Sequence, residues 1–209
     1  MYVKTLEIAG FYPAIKGMRN PLNSWQLSDS YTENNKFVLG DKDKNLTLRL
    51  INSGKEHRKF LRQIKVWIDT DMPRYWWSEA DTYHFGTKNS CSTMHKLLNK
   101  QNPITKDQFL YCIEDLDIVE IVIQRLNEIR DLWQKQTLQK DKDYCLLRAK
   151  RLLLEGFLQL RTWDTNYEEI ANMYHQRKNH RLKEEWQEIF CEWVQTLPYS
   201  SELIIGGNK

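Results

Sequence analysis

Five apolar side chains, Ile118, Val122, Leu126, Ile129 and Trp133, recur at helical spacing within residues 116–136. A stretch of that length with one apolar stripe is an amphipathic helix, and the stripe has to be buried against the rest of the chain. A second stripe, Trp186, Ile189, Phe190, Trp193 and Leu197, marks residues 182–197 and is closed by Pro198. Helices are further expected over residues 43–53, stopped by Gly54, over 143–154 after a charged connector at 140–143, and over 166–178.

Strand signals are fewer. Residues 2–9 alternate loosely, and residues 64–68 alternate with Ile64, Val66 and Ile68 on one face before Pro73 ends the run. Residues 10–42 read as irregular, with one short strand at Phe37-Val38-Leu39. A short helix near Lys55, a helical stretch within 90–99 and a loop with a short element over 100–116 complete the middle. Residues 157–165 carry no assignment. The fold class that follows is α/β in the α+β sense, helix-rich, with a small mixed or antiparallel sheet. At 209 residues one domain is expected over 1–209, with an N-terminal strand and irregular segment (1–42), a core (43–198) and a frayed tail (199–209).

With 41% hydrophobic and 28% charged residues the chain can build a core and is not a disordered polymer. The net charge of +3 is small and the basic residues are spread throughout, so no nucleic-acid partner is implied. No apolar run is long enough to span a bilayer and the first residues are too polar for a signal peptide, so a cytoplasmic location and no membrane partner are expected. The four cysteines, Cys91, Cys112, Cys145 and Cys191, lie far apart and read as free thiols. Cys91 and His95 are four apart, but two ligands do not make a metal site. Phosphate-binding glycine loops are absent, and no motif supplies a base for a nucleophile. Eight Trp and ten Tyr can fill a core, line an interface or stack on a base.

Three constellations could carry chemistry. Asn166 and Arg177 are eleven residues apart, close to three helical turns, and so share a face. Together they suit a phosphate or a pyrimidine carbonyl; alternatively Thr165 or Asn166 caps a helix and Arg177 is a surface cation. Asn89-Ser90-Cys91-Ser92-Thr93 is a cluster of small polar residues that suits an anion, or an ordinary capping loop. Lys150 and Arg151 sit in an apolar helix, where cations normally extend their heads to solvent.

From about residue 43 to 197 the spacing of these residues resembles the flavin-dependent thymidylate synthases, the ThyX family. Lys150, Asn166, Arg177 and Glu185 follow one another at intervals of sixteen, eleven and eight, as that family's basic residue, Asn, Arg and Glu do. Gly54, the strand at 64–68 and Pro73 match its middle. Its R-H-R signature falls on Thr82-Tyr83-His84, where both arginines are missing. Its N-E-x-S falls on Asn89-Ser90-Cys91-Ser92, with Ser90 for the Glu and Met94 for a later Arg.

The resemblance implies a ThyX-like fold and a nucleotide pocket kept by Ser92, Asn89, Lys150, Asn166, Arg177 and Glu185. It also implies a flavin site that has lost its cations, with Glu79 and Asp81 nearby to repel phosphate. No cofactor is therefore expected, FAD included. Trp76, Trp77, Tyr83 and His84 are the candidates to stack on or hydrogen-bond a base. The family's sites span subunits, which implies a homo-oligomer, a tetramer in preference to a dimer.

The phrases Met18-Arg19-Asn20-Pro21-Leu22-Asn23-Ser24-Trp25, Tyr75-Trp76-Trp77, Asn89-Ser90-Cys91-Ser92-Thr93-Met94-His95-Lys96 and Arg177-Lys178-Asn179-His180 also resemble a group of small prophage proteins of Firmicutes. That resemblance implies a viral origin and brings no activity with it. The expectation is a phage protein that sequesters a nucleotide-derived host immune signal, of cyclic nucleotide or cyclic ADP-ribose type. The alternatives are a ThyX-related enzyme that modifies a pyrimidine nucleotide, and a non-catalytic interaction module.

Overall fold

The structure is a computed structural model that describes residues 1–98 and 103–207. In chain order its elements are β1 (Tyr2–Ala9), α1 (Phe11–Met18), β2 (Tyr31–Glu33), β3 (Lys36–Val38), α2 (Asp41–Asn52), β4 (Lys65–Pro73), α3 (Arg74–Ala80), β5 (Lys88–Ser90) and α4 (Thr93–Lys96). There follow α5 (Leu116–Lys135), α6 (Gln139–Leu152), β6 (Leu158–Asn166) and α7 (Tyr167–Arg177). A wide π-helical segment, Lys183–Cys191, then continues as α8 (Glu192–Gln195), and α9 (Ser200–Leu203) comes last. One sheet has the strand order β1-β4-β6-β5, and β2 pairs with β3 in an antiparallel hairpin. The helix-rich α+β expectation holds.

The chain packs as two compact units, each gathered from separate stretches. The smaller takes Met1, 71–82 and 89–161; the larger takes 2–70, 83–88 and 162–209.

In the smaller unit α5 and α6 form a helical hairpin. Leu126, Ile129, Cys145, Ala149 and Leu153 are buried between them, together with Leu97, Leu98, Ile104 and Phe109. Removing a Leu or Ile side chain from water contributes about 1.5–3 kcal/mol, so this cluster stabilises the unit substantially. Of the expected stripe on α5, Leu126 and Ile129 are fully buried and Val122 and Trp133 pack against the cluster; only its first position differs, with Val119 buried and Ile118 56% exposed.

In the larger unit β4 alternates, with Val66, Ile68 and Thr70 buried and the residues between them only partly covered. Buried Tyr167 donates its hydroxyl to the carbonyl of Pro198 at 2.8 Å, and that burial pushes the phenol well above its ordinary pKa. The α2 N-terminus is capped from outside: the Asp29 carboxylate accepts from the N–H of Lys42 at 2.8 Å and of Asp43 at 3.1 Å. Asp43 is fully buried. Its carboxylate accepts from Arg19 Nε and the Ser28 hydroxyl, both at 2.6 Å, and from the Ser30 N–H at 3.1 Å. The Met18–Trp25 phrase is thus built into the fold.

Several expectations change. Residues 10–42 are not irregular: α1 spans Phe11–Met18, and a hairpin turns through Asn34 and Asn35 at φ 49° and 60°, which Asn tolerates better than most residues. Gly10, Pro13 and Gly17 conceal α1, because Pro in a first turn gives up only an N–H that has no helical partner. The stretch near Lys55 gives a 3₁₀ turn at Lys59–Gln63. The 140–143 connector lies inside α6. Residues 90–99 contribute the end of β5 and one helical turn, α4. Residues 157–165, unassigned from sequence, belong to β6 apart from the first. Residue 99 of that stretch, residues 100–102 of the loop, and residues 208–209 of the tail lie outside the described residues.

Candidate functional site

The expected residues fall into two groups, one in each unit. In the smaller unit Pro73 precedes α3, and Trp76 and Trp77 on that helix are both fully buried, ring edge to ring face at 4.9 Å. Trp77 donates its indole N–H to the carbonyl of Gln159 at 2.8 Å. The Arg161 guanidinium lies over its ring at 4.2 Å and is held bidentate by Asp81, at 3.0 Å to each oxygen. The two indoles therefore shape the interior and offer no open face to a base, contrary to the stacking role expected for them.

Lys150 is in the last turn of α6. Its Nζ donates to Thr93 Oγ1 at 2.6 Å, across 57 residues of sequence. Ser92 caps α4 by accepting the His95 N–H at 3.3 Å, and Cys91 N donates to Leu160 O at 2.9 Å, so the segment is fixed from both sides. A cavity of about 280 Å³ opens there, lined by Cys91, Ser92, Thr93, Lys96, Gln108 and Gln159 among others. Asn89 is exposed in β5.

Burial, and then the positive charge of Arg74, hold the Lys150 amine below its ordinary pKa. Arg74 is the residue the sequence reading missed. It is the first residue of α3, where the helix dipole disfavours a cation. Its Nη2 meets Glu155 at 3.2 Å, while its buried Nη1 has no hydrogen-bond partner among the described residues. A basic residue directly after Pro73 was the available signal, and its worth depends on Lys150, 76 positions later.

In the larger unit Arg177 closes α7. Its Nε donates to the Tyr83 hydroxyl at 2.9 Å, and Tyr83 donates onward to Gln176 Oε1 at 2.9 Å. The guanidinium also lies over the rings of Trp186, at 4.6 Å, and Tyr83, at 5.5 Å. Beyond it His180 N donates to the carbonyl of Arg177 at 2.9 Å, and Gln187 Nε2 donates to the carbonyl of His180 at 2.7 Å. The Arg177–His180 phrase is a helix-ending turn.

Asn166 is at the other end of α7, where its side chain accepts the Glu169 N–H at 3.0 Å. Eleven residues of helix separate the two by roughly 16 Å. They do not act as one acceptor-binding pair, and Asn166 Oδ1 is occupied as the helix cap. Glu185 is buried in the π-helical segment, and His84 is exposed.

Two buried acids in the first turn of α7 were also missed. Glu168 pairs with Arg62 and, at 3.5 Å, with Arg58. Burial and then Glu168 raise the Glu169 carboxyl, partly offset by His84, Lys88 and Arg62. Lys88 donates to the carbonyl of Tyr83 at 3.2 Å and lies over Trp163 at 4.9 Å. Thr82 Oγ1 donates to the carbonyl of Glu79 at 2.7 Å. Among the described residues no three His, Cys, Asp or Glu side chains are grouped to hold a metal ion. No helix there is long and apolar enough to cross a membrane.

No protein-family model matches the chain, and no curated protein matches it by sequence. Its structure is similar to that of a flavin-dependent thymidylate synthase, ThyX, from Helicobacter pylori in complex with FAD and dUMP, with a TM-score of 0.73 at 18% identity over the whole of both chains. A second structure of Helicobacter pylori ThyX with FAD and dUMP gives 0.72 at 17% identity, covering 99% of this chain and 98% of that one. At such identity the likeness establishes a ThyX-like fold.

Proposed function

We propose that this protein binds a nucleotide-derived ligand through its phosphate, at the cavity lined by Ser92, Thr93 and Lys96, whose Thr93 holds the Lys150 amine, and holds it unaltered. One observation carries the reading. The Lys150 amine is held against a residue of the cavity wall, burial and then the charge of Arg74 keep it below its ordinary pKa, and Arg74 has a buried N–H that lacks an acceptor among the described residues. A phosphate would accept from both and relieve their repulsion, with the hydroxyls of Ser92 and Thr93 at hand. The ThyX structures of the same fold hold FAD and dUMP, which favours a nucleotide over another anion. In a prophage such a pocket would serve to withhold a host nucleotide signal, of cyclic nucleotide or cyclic ADP-ribose type.

A flavin enzyme acting on a pyrimidine nucleotide is the less favoured reading. A flavin pyrophosphate needs cations, and Thr82-Tyr83-His84 supplies two hydroxyls already engaged within the chain and one exposed imidazole.

Native mass spectrometry with a mixture of dUMP, FAD, cyclic dinucleotides and cyclic ADP-ribose tests the proposal. An intact nucleotide is expected to stay bound. Lys150→Met, which keeps the stem and removes the charge, should weaken it about tenfold to a hundredfold. A chemically altered nucleotide would refute sequestration. Equal binding by Lys150→Met would refute the site.

A further inference from the structure

The Met18–Trp25 phrase is tied into the larger unit by buried bonds, yet part of it faces a cavity that the proposed function does not use. That cavity, of about 140 Å³, is lined by Tyr12, Lys16, Arg19, Trp25, Ser28 and Ser30 beside the buried Ile15. Helix α1 builds one wall: Tyr12, Lys16 and Arg19 follow at steps of four and three and so share a helix face. The chain from Trp25 to Ser30 builds the other. Trp25 is held there by its indole N–H, which donates to Asn20 Oδ1 at 2.8 Å.

The charge facing the cavity has one sign. Arg19 is only 5% exposed. Its Nε donates to Asp43 at 2.6 Å and its Nη1 to the Ser24 carbonyl at 3.3 Å, whereas its Nη2 has no acceptor among the described residues. Asp43 balances the charge of Arg19 and is itself turned away, accepting from the Ser28 hydroxyl and the Ser30 N–H. No carboxylate lines the cavity. Lys16 is exposed and has no ion pair among the described residues, so its charge stands uncompensated beside a guanidinium with donors to spare. That combination suits an anion, a carboxylate above all. The last turn of α1 carries a partial negative charge that opposes an anion, but it is smaller than the full charge of Lys16.

The remaining surface is aromatic. Tyr12 and Trp25 are 54% and 46% exposed, and Trp25 is the one exposed tryptophan of the eight. Such rings offer a second ring a surface to stack on. A cavity of about 150 Å³ accepts a benzene ring, whereas pockets for drug-sized ligands begin near roughly 300 Å³. Size and sign together therefore select a single ring that bears an acid.

We propose that this cavity binds a one-ring aromatic carboxylate, whose carboxylate accepts from Arg19 Nη2 and the Lys16 amine and whose ring lies against Tyr12 and Trp25. The site belongs to the larger unit and the Lys150 cavity to the smaller, so the two readings stand or fall separately.

Isothermal titration calorimetry on the full chain, with benzoate, benzyl alcohol and inorganic phosphate as probes, tests it. Benzoate should bind once per chain. It should bind about tenfold or more tightly than the alcohol, which lacks the charge, and than phosphate, which lacks the ring. It should also shield Trp25 from quenching by acrylamide. Lys16→Met should weaken benzoate about tenfold and leave the alcohol unaffected. Circular dichroism and melting temperature should not change in that variant, because Lys16 is exposed; Arg19 is kept, because it also holds Asp43. Absence of saturable benzoate binding up to about 10 mM would overturn the proposal. So would phosphate or the alcohol binding as tightly as benzoate, or full benzoate affinity in Lys16→Met. Binding that leaves Trp25 as open to acrylamide as before would overturn it by placing the benzoate elsewhere.

Discussion

Asn166 shows how one residue can satisfy two readings in sequence and one in structure. Its spacing from Arg177 suits a shared ligand, while its position before a helical run suits a cap. The fold gives it to the cap, with Oδ1 on the Glu169 N–H. Asn166→Ala should therefore cost about 1 kcal/mol, and Asn166→Ser, which keeps an acceptor, only a few tenths. Urea denaturation of the two variants measures this, and equal losses would rule the capping role out. Lys150 stood out in the sequence because it stands at a recognisable spacing. Arg74 did not, because its charge counts only beside Lys150, and a buried N–H with no acceptor among the described residues is something no local window of sequence contains. Trp76 and Trp77 misled for a related reason: aromatic side chains serve cores and ligands alike, and only burial separates the two uses.

Elements were legible where periodicity is long and uninterrupted, as in α5, in α7 and in the alternating face of β4. They were obscured where a breaker residue sits in a place that tolerates it, as Pro13 does in α1, or where charge interrupts alternation, as Arg161 and Asp164 do in β6. The approach of 83–88 to β6 rests on a glycine. Gly86 has φ +150°, and a Cβ there would stand 1.9 Å from the Asp164 carbonyl oxygen and 2.5 Å from Trp163 Nε1. The neighbouring Asp164 N–H donates to the Thr87 carbonyl at 3.1 Å, so the backbone cannot retreat without losing that bond. Gly86→Ala should destabilise the protein by at least about 2 kcal/mol, visible as a fall in melting temperature. An unchanged melting temperature would mean that the turn adapts.

Over the whole molecule, acid stability should follow the buried carboxylates. Burial pushes Asp43 up, but the hydrogen bonds from Ser28, Ser30 and Arg19 outweigh it, and the group ends below its ordinary value of 3.8. A carboxyl lowered by folding stabilises above that value, and the stability is lost as pH falls through the lower, folded one. Glu202, lowered by Lys44, acts with the same sign. Asp71 and Glu169, raised by burial, act oppositely and lose stability as pH rises through their raised values. Asp43→Asn removes one partner of a buried ion pair and should cost about 3–5 kcal/mol at pH 7, with a flatter loss below pH 4. Urea midpoints from pH 3 to 7 would show this, and a variant as steep as the wild type would assign the acid limb to other groups. The larger unit also has a consequence for synthesis. It joins Thr5 to Trp193 by a 2.9 Å hydrogen bond and Phe37 to Tyr199 by one of 2.8 Å. A ribosome that has translated 160 residues has supplied nearly all of the smaller unit, while the first strand of the larger one has its neighbour β4 but still waits for Trp193. The emerging N-terminal third must therefore stay soluble through most of translation, and a stop codon near residue 190 would undo the larger unit from its first strand onward.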